Sequence, residues 1–150
     1  MGFSLIDDRS FGFLSVYAPT ESHARSAFWD AISQNLPSMD TWIVGGDFNN
    51  IELPSDVRID GVPRISSIAP CERENWDRFL LAIRGSDAWH LPSFAHLQDS
   101  LLFSWGFRRQ GGRLLERLDR FYIDSIIAQQ GGLTSIVPGT ALSDHAPISL

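Results

Sequence analysis

Apolar residues recur at two different spacings in the first third of the chain. Residues 11–17 (FGFLSVY) form an apolar run that stops before Pro19, which predicts a buried strand entering a loop. In residues 22–36 the apolar positions lie three or four apart, which predicts a helix with one buried stripe: Ala24, Ala27, Phe28, Ile32 and Leu36. Residues 41–44 (TWIV) predict a second strand, and two glycines and Asp47 follow it at once.

The middle of the chain is less regular. Residues 50–70 contain four prolines or glycines and no sustained period, which predicts a long irregular connection. Residues 72–83 again place apolar side chains on one face, so a second helix is predicted that ends at Gly85. Residues 89–99 show only a weak pattern. This region therefore predicts one helix between two loops.

The last third predicts a hairpin and a final strand. Residues 101–107 and the alternating residues 114–123 predict two paired strands around a loop at 108–112. A short helix near residues 125–130 and a strand at 146–150 follow. Because a hairpin does not fit a purely parallel sheet, the pattern favours mixed β-sheets flanked by helices.

Composition adds a class of protein to this pattern. The 150 residues, 43% hydrophobic and 11% aromatic, can supply the core of one domain. The first eight residues contain two aspartates and no basic flank, which argues against a signal peptide. No uncharged stretch approaches the roughly 20 residues that span a bilayer, and the single Cys71 cannot form an internal disulfide. The sequence predicts a soluble single domain over residues 1–150.

Charge is unevenly distributed. The net charge of −6 argues mildly against nucleic-acid binding, because phosphate neutralisation calls for a positive surface. Residues 1–104 carry 14 acids and 7 arginines, whereas residues 105–150 carry 4 acids and 5 arginines. The chain has no lysine, so every fixed cation is a guanidinium group that can bind phosphate with two hydrogen bonds. Phosphate contact and a solvated, charged hairpin both fit the five late arginines: Arg108, Arg109, Arg113, Arg117 and Arg120.

Polar side chains directly follow the strand at residues 41–44. On an extended backbone, Asp47 and Asn49 project to one side while Phe48 anchors on the other. The carboxylate can orient a water and the amide can donate a hydrogen bond to a phosphoryl oxygen. An Asp-x-Asn after glycine is also common in turns held by side-chain-to-backbone bonds. The pair alone therefore does not decide between a site and a turn.

Three other positions could supply the same chemistry. Asp144 and His145 stand just before the last predicted strand, and as neighbours they project to different sides, so we expect different tasks for them. Asp119 lies between two arginines and fits an ion pair as well as a site. Tyr17, at the end of the first strand, fits the core as well as a cleft. The order and spacing of these residues carry more weight than any one of them.

Five segments occur in an informative order. They are VYAPT (16–20), WIVGGDFNNI (42–51), LLFSW (101–105), ERLDRFYI (116–123) and LSDHAPISL (142–150). In this order they resemble the endonuclease/exonuclease/phosphatase superfamily, and more narrowly the endonuclease domain of LINE-type non-LTR retrotransposons. The resemblance implies an α/β fold, a four-layer α/β sandwich of two mixed β-sheets with helices outside. The sandwich is expected to be incomplete at the N-terminus, because the asparagine and metal-binding glutamate of the family's first strands have no counterpart.

The resemblance also implies roles for single residues. Asp47 would orient and deprotonate the attacking water, and Asn49 would stabilise the pentacoordinate phosphorus centre. His145 would donate a hydrogen bond to a nonbridging phosphate oxygen, and Asp119 would hold His145 in place. Tyr17 would touch the scissile phosphate.

Metal and substrate contacts follow from the same resemblance. Asp144 would bind Mg²⁺, with Mn²⁺ as an alternative, and Ser104 would support the site with its hydroxyl. DNA would be the substrate, gripped by the hairpin residues Trp105, Arg108, Arg109 and Arg113. The chain would be part of a longer intracellular polyprotein with a downstream reverse transcriptase, active in the nucleus. A phosphatase of small phosphoesters and a catalytically inactive remnant remain alternatives.

Overall fold

In the computed structural model of this chain, the structure is described for residues 2–6, 9–63, 68–88, 103–109, 112–124, 135–136, 145 and 148–149. These residues form two α-helices, a short 3₁₀ helix at Pro54–Asp56 and eleven strands. The elements are β1 (Gly2–Ile6), β2 (Arg9–Tyr17), α1 (Ser22–Asn35), β3 (Thr41–Asp47), β4 (Val57–Ile59), β5 (Val62–Pro63), α2 (Pro70–Ile83), β6 (Gly85–Asp87), β7 (Trp105–Arg109), β8 (Gly112–Glu116), β9 (Asp119–Asp124), β10 (Ser135–Ile136) and β11 (Ile148–Ser149).

The strands form two main sheets. The five-stranded sheet has the order β1-β2-β3-β9-β6, with β2 and β3 parallel and the other neighbours antiparallel. The four-stranded sheet has the order β5-β4-β8-β7 and is antiparallel throughout. Strands β10 and β11 pair separately with each other. The predicted α/β sandwich of two sheets with flanking helices is confirmed.

An aromatic core joins the two helices to the five-stranded sheet. Trp29 of α1 and Trp76 of α2 are fully buried with their ring centroids 4.9 Å apart. Phe48, just after β3, lies 5.9 Å from Trp29 and 4.9 Å from Tyr122 of β9. Each of these rings buries on the order of 150–250 Å². The core therefore anchors the GDFN segment (residues 46–49) through Phe48, as the alternation of side chains predicts.

The predicted buried stripe of α1 is partly wrong. Ala24 and Ala27 are exposed, and the buried side chains of this helix are Arg25 and Trp29. Trp29 offers far more apolar area than an alanine, so it sets the buried face. Arg25 can follow it inward because the buried Glu72 of α2 neutralises its charge through two hydrogen bonds of 3.0 Å.

The end of the first parallel pair depends on a glycine. Strand β3 extends beyond the predicted residues 41–44 through Gly45 and Gly46 to Asp47. Gly46 has φ +141°, and a Cβ on it would lie 2.0 Å from the carbonyl oxygen of Val16 in β2. Only glycine therefore lets β3 stay paired with β2 as far as Asp47.

Two further boundaries differ from the sequence pattern. Helix α2 ends at Ile83 with Arg84 in the left-handed conformation, and Gly85 already begins β6. The predicted single strand at 114–123 is two strands, β8 and β9, which belong to different sheets. The strand is interrupted at residues 117–118 because their backbone groups bond elsewhere. The Arg117 N–H donates to the carbonyl of Asp56, and the Leu118 carbonyl accepts from the Phe48 N–H.

The remaining predicted elements can be placed only in part. The predicted irregular connection at 50–70 contains the 3₁₀ helix and the short strands β4 and β5. Part of the predicted last strand is present as β11. The weakly patterned residues 89–99 and the predicted helix at 125–130 lie outside the described residues. Among the described helices, neither is long and apolar enough to cross a membrane.

Candidate active site

Three polar residues lie side by side in the five-stranded sheet, where β2 and β3 end and β9 begins. The register pairs Tyr17 of β2 with Asp47 of β3, and Asp47 with Asp119 of β9. Residues directly opposite one another in a sheet project from the same face. This strand-end row (Tyr17, Asp47 and Asp119) therefore gathers on one face side chains that lie up to about a hundred positions apart in the sequence.

Asp47 is a buried carboxylate, and no arginine forms an ion pair with it among the described residues. Its side chain accepts a hydrogen bond of 2.9 Å from the backbone N–H of Asn49, which has φ +49°. Burial raises the pKa of Asp47, and the nearby carboxylate of Asp119 adds to this, although the Asn49 N–H and His145 oppose it. A carboxylate whose pKa is raised is a better proton acceptor near neutral pH than an ordinary one.

His145 bridges the two carboxylates of the row. Its Nδ1 lies 2.7 Å from Asp119 Oδ2, within hydrogen-bonding distance, and its Nε2 lies 3.9 Å from Asp47 Oδ2. The backbone of His145 also pairs with Trp105, the first residue of β7. Asp119 thereby orients the ring, and the Nε2 nitrogen is turned towards Asp47.

Ser104 supports this arrangement through the backbone. Its buried hydroxyl accepts hydrogen bonds of 3.1 and 2.9 Å from the N–H groups of Leu118 and Asp119. These two residues begin the path of the chain into β9, so the hydroxyl fixes the base of the Asp119 side chain. The supporting position expected for Ser104 matches this geometry.

A cleft of about 530 Å³ opens over these residues. Tyr17, whose side chain is 78% exposed, stands at its rim. The cleft is lined by, among others, Tyr17, Asp47, Asn49, Asn50, Trp105 and His145. The structure therefore brings five of the residues predicted from the sequence to one concave surface: Tyr17, Asp47, Asn49, Trp105 and His145.

The late arginines do not act as one group. Arg117 and Arg120 are each 2% exposed and form, with Asp56 and Asp87, a buried ion cluster. Of the two alternatives for the late arginines, phosphate contact does not fit these two, because carboxylates occupy their guanidinium groups. No feature of the sequence pairs them with Asp56, which lies some 60 positions earlier.

The other arginines lie on the β7–β8 hairpin. Arg113 is exposed, and it is three residues along β8 from the cleft-lining Glu116, about 10 Å away. Arg108 pairs with Arg113 in the hairpin register, and Arg109 pairs with Gly112. The side chains of Arg108 and Arg109 lie outside the described residues, as does the whole of Asp144, the predicted metal ligand.

The described residues do not make up a metal centre. Among them, no group of three or more histidine, cysteine, aspartate or glutamate side chains is placed to hold an ion. Asp47 and Asn49 present oxygen atoms of the kind that Mg²⁺ prefers. These two residues are too few to hold the ion by themselves.

Solved structures of other proteins show the same fold. Two solved structures share the fold: a 3'-5' exonuclease (NExo) from Neisseria meningitidis, with a TM-score of 0.63 and 14% identity, and the AP endonuclease LMAP from Leishmania major, with a TM-score of 0.54 and 23% identity. The first match covers 97% of this chain and 62% of the exonuclease, and the second covers 85% and 41%. The predicted endonuclease/exonuclease/phosphatase fold is confirmed.

The chain is also similar in sequence to a transposon protein. The chain is 29% identical over 146 residues to the Transposon TX1 uncharacterized 149 kDa protein of Xenopus laevis. The match covers 95% of this chain and 10% of that protein, so the chain spans about a tenth of its relative. No protein-family profile matches the sequence. The expected resemblance to a transposon protein is confirmed, and the fold is one that this chain shares with two solved nucleases.

Proposed function

We propose that this chain carries the water-activating and phosphate-binding side of a DNA-nicking endonuclease site from a retrotransposon-like element. The observation that carries the proposal is the convergence of Asp47 and His145 in the cleft, with Asp119 Oδ2 2.7 Å from Nδ1 of His145. A carboxylate base beside an imidazole held by a second carboxylate is suited to hydrolysis of a phosphodiester.

The steps can be assigned to atoms of these residues. A water oxygen forms a bond to phosphorus as the ester P–O bond breaks, and Asp47 accepts the proton of that water. His145 Nε2 donates a hydrogen bond to a nonbridging oxygen, which stabilises the charge that develops there. Asp119 favours the protonated, correctly turned imidazole because it lies against Nδ1. Tyr17 at the rim would touch the same phosphate.

The similar proteins support nucleic acid as the substrate class. Both structural neighbours are named as nucleases, and the curated relative is named as a transposon protein. A longer polyprotein with a reverse transcriptase and a nuclear location would fit that origin. Trp105 and Arg113 on the hairpin would contact the DNA beside the cleft, together with Arg108 and Arg109 in the positions inferred from the sequence. Ser104, whose hydroxyl is buried, would act only as a support for Asp119.

A requirement for Mg²⁺, or Mn²⁺ in its place, is part of the proposal. The ion would neutralise phosphate charge, and Asp144 would be its ligand by the position that it occupies in the SDH segment. Removal of divalent ions with a chelator should stop nicking, and Mg²⁺ should restore it. Nicking that continues in excess chelator would contradict this part alone.

The proposal is tested with supercoiled plasmid and two substitutions. Wild-type protein with Mg²⁺ should convert the plasmid to the nicked form, and Asp47→Ala and His145→Ala should each slow the conversion strongly. Phosphate release from small esters without nicking would favour a phosphatase instead. Failure of the folded protein to act on either substrate would favour an inactive remnant, and nicking unaffected by both substitutions would overturn the assigned roles.

A further inference from the structure

Asn50, the residue after the GDFN segment, lines the cleft but has no role in the chemistry so far. Its side chain is almost fully buried, with 2% of the residue exposed. The amide nitrogen Nδ2 has no hydrogen-bond partner. A buried N–H donor without an acceptor is destabilising and rare, so it calls for a specific explanation.

The orientation of this amide is fixed by Arg120. The guanidinium group of Arg120 donates to Asn50 Oδ1 at 2.6 Å and to the Asn50 backbone carbonyl at 2.9 Å. Because a guanidinium group can only donate, the oxygen of the amide must face it and the amide cannot be turned over. Asp56 in turn holds Arg120 through a 3.0 Å ion pair. The buried ion cluster therefore presents Nδ2 as a donor of known identity.

The preceding residue is different in this respect. Asn49 Nδ2 donates to the carbonyl of Ala18 at 2.7 Å and lies 3.3 Å from Asp47 Oδ2. Both protons of that amide are thus engaged within the protein. Of the two adjacent asparagines that line the cleft, Asn50 is the one whose buried amide nitrogen has no hydrogen-bond partner in the protein.

We propose that Asn50 is a substrate-binding residue whose Nδ2 donates a hydrogen bond to a nonbridging phosphate oxygen of DNA in the cleft. A phosphodiester oxygen accepts hydrogen bonds, never donates them, and carries negative charge, so it suits an N–H donor that has no acceptor within the protein. The inference rests on the proposed function, because it takes the ligand of the cleft to be a nucleic acid.

Two substitutions separate the donor from the structural role of Asn50. Asn50→Asp keeps the shape and an oxygen for Arg120 but removes the N–H donor. Asn50→Ser removes the same donor without adding charge. Asn35→Asp, at the exposed C-terminal end of α1, controls for the change in net charge. Thermal unfolding of each variant establishes that it is folded.

The measurement is the dissociation constant of a short fluorescent DNA duplex in chelator, by anisotropy, together with plasmid nicking in Mg²⁺. A hydrogen bond to a charged group should make Asn50→Asp and Asn50→Ser each bind about tenfold more weakly or worse, with Asn35→Asp unchanged. Unchanged affinity in the folded Asn50→Ser protein would overturn the inference, because the amide would then serve only Arg120 or a water.

Should Asn50→Ser unfold, Asn50→Asp still decides the question. Two duplexes that carry the Rp or the Sp methylphosphonate at one phosphate step are compared, with the step moved along the DNA from one duplex pair to the next. A hydrogen bond from Nδ2 predicts unequal losses of affinity for the two isomers at one step in wild type, and equal losses in Asn50→Asp. Isomer effects that are equal at every step in wild type, or that persist in Asn50→Asp, would overturn it.

The same measurements keep the two proposals apart. Nicking by wild type with no effect of residue 50 would leave the nuclease proposal standing and remove the inference. DNA binding that depends on residue 50, without nicking, would support the inference about Asn50 and remove the nuclease proposal. Wild-type protein that neither binds nor nicks DNA would overturn both.

Discussion

Two clusters of side chains lie on either side of the segment Arg117–Arg120, and the pKa of a buried aspartate is shifted in opposite directions in the two. In the buried ion cluster, Asp56 is fully buried, yet Arg120 and Arg117 outweigh the effect of burial and lower its pKa. In the strand-end row, Asp47 is nearly as buried, but burial and the neighbouring Asp119 outweigh its hydrogen bond and raise its pKa.

The difference shows how one short segment serves two purposes. Arg117 and Arg120 point to Asp56 and tie the loop after Asn49 to β9. Asp119, between them, points to His145 instead. The arginine-paired Asp56 helps to hold the backbone, whereas Asp47, which forms no ion pair with an arginine, has a raised pKa and can accept a proton. The comparison predicts that substitutions in the two clusters will affect different properties.

The largest expected effect is on the activity of Asp47→Asn. Loss of a general base should lower the nicking rate about 10²–10⁴-fold. Stability should be unchanged or higher, because a buried carboxylate with a raised pKa is replaced by a neutral amide of the same shape. Plasmid nicking and thermal unfolding measure the two properties, with the more exposed Asp30→Asn as a control. A lower melting temperature for Asp47→Asn alone would mean that Asp47 is structural.

Asp56→Ala should have the opposite profile. It leaves two buried guanidinium groups without their shared carboxylate, so we expect a loss of about 3–5 kcal/mol in the free energy of unfolding. Asp30→Ala, which removes a surface ion pair with Arg78, should cost only about 0–1 kcal/mol. Urea unfolding compares them. A cost for Asp56→Ala as small as that of Asp30→Ala would end the distinction between the clusters.

Asp119→Asn should reduce activity less than Asp47→Asn. It weakens a charge-assisted hydrogen bond to His145 worth about 1.5–3 kcal/mol, so nicking should fall roughly 10- to 100-fold. Because Asp119 acts through His145, Asp119→Asn should add little to the loss in a His145→Ala background. A full additional loss in the double variant would show that Asp119 acts independently of the imidazole.

The sequence predicts local geometry around the candidate site better than the contacts that support it. The burial of Phe48 is predicted correctly because the alternation along an extended strand is a local property. The burial of Arg117 and Arg120 is not, because their partner Asp56 is distant in sequence and the contact exists only after β9 joins the sheet. The unpaired amide of Asn50 is likewise a property of the packed cleft and leaves no trace in the order of residues.

The helices and strands show the same limit. Periodicity finds both α1 and α2, but it predicts Ala24 at the buried face of α1, where Arg25 lies instead. A hydrophobicity pattern counts a charged residue as exposed, whereas a buried Glu72 on another helix makes its burial tolerable. The split of residues 114–123 into β8 and β9 is hidden for a similar reason, since hydrogen bonds to Asp56 and Phe48 impose it.

The smallest expected effect is the pH dependence of stability, which should have opposite signs in the two clusters. The pKa of Asp47 in the folded state lies above its ordinary value of 3.8, so its contribution is fully present below that value and is lost as pH rises through the raised pKa. The stability gained by Asp47→Asn should therefore shrink as pH falls from about 7 to about 4.

Asp56 has a pKa below 3.8, so its contribution is present above that value and is lost only as pH falls through the lowered pKa. The deficit of Asp56→Ala should accordingly stay constant over the range in which the gain of Asp47→Asn disappears. Urea unfolding of wild type and both variants at several pH values measures the two differences. If the stability differences of the two variants changed in the same direction with pH, Asp47 and Asp56 would lie in similar electrostatic environments. The contrast between the two clusters would then be wrong.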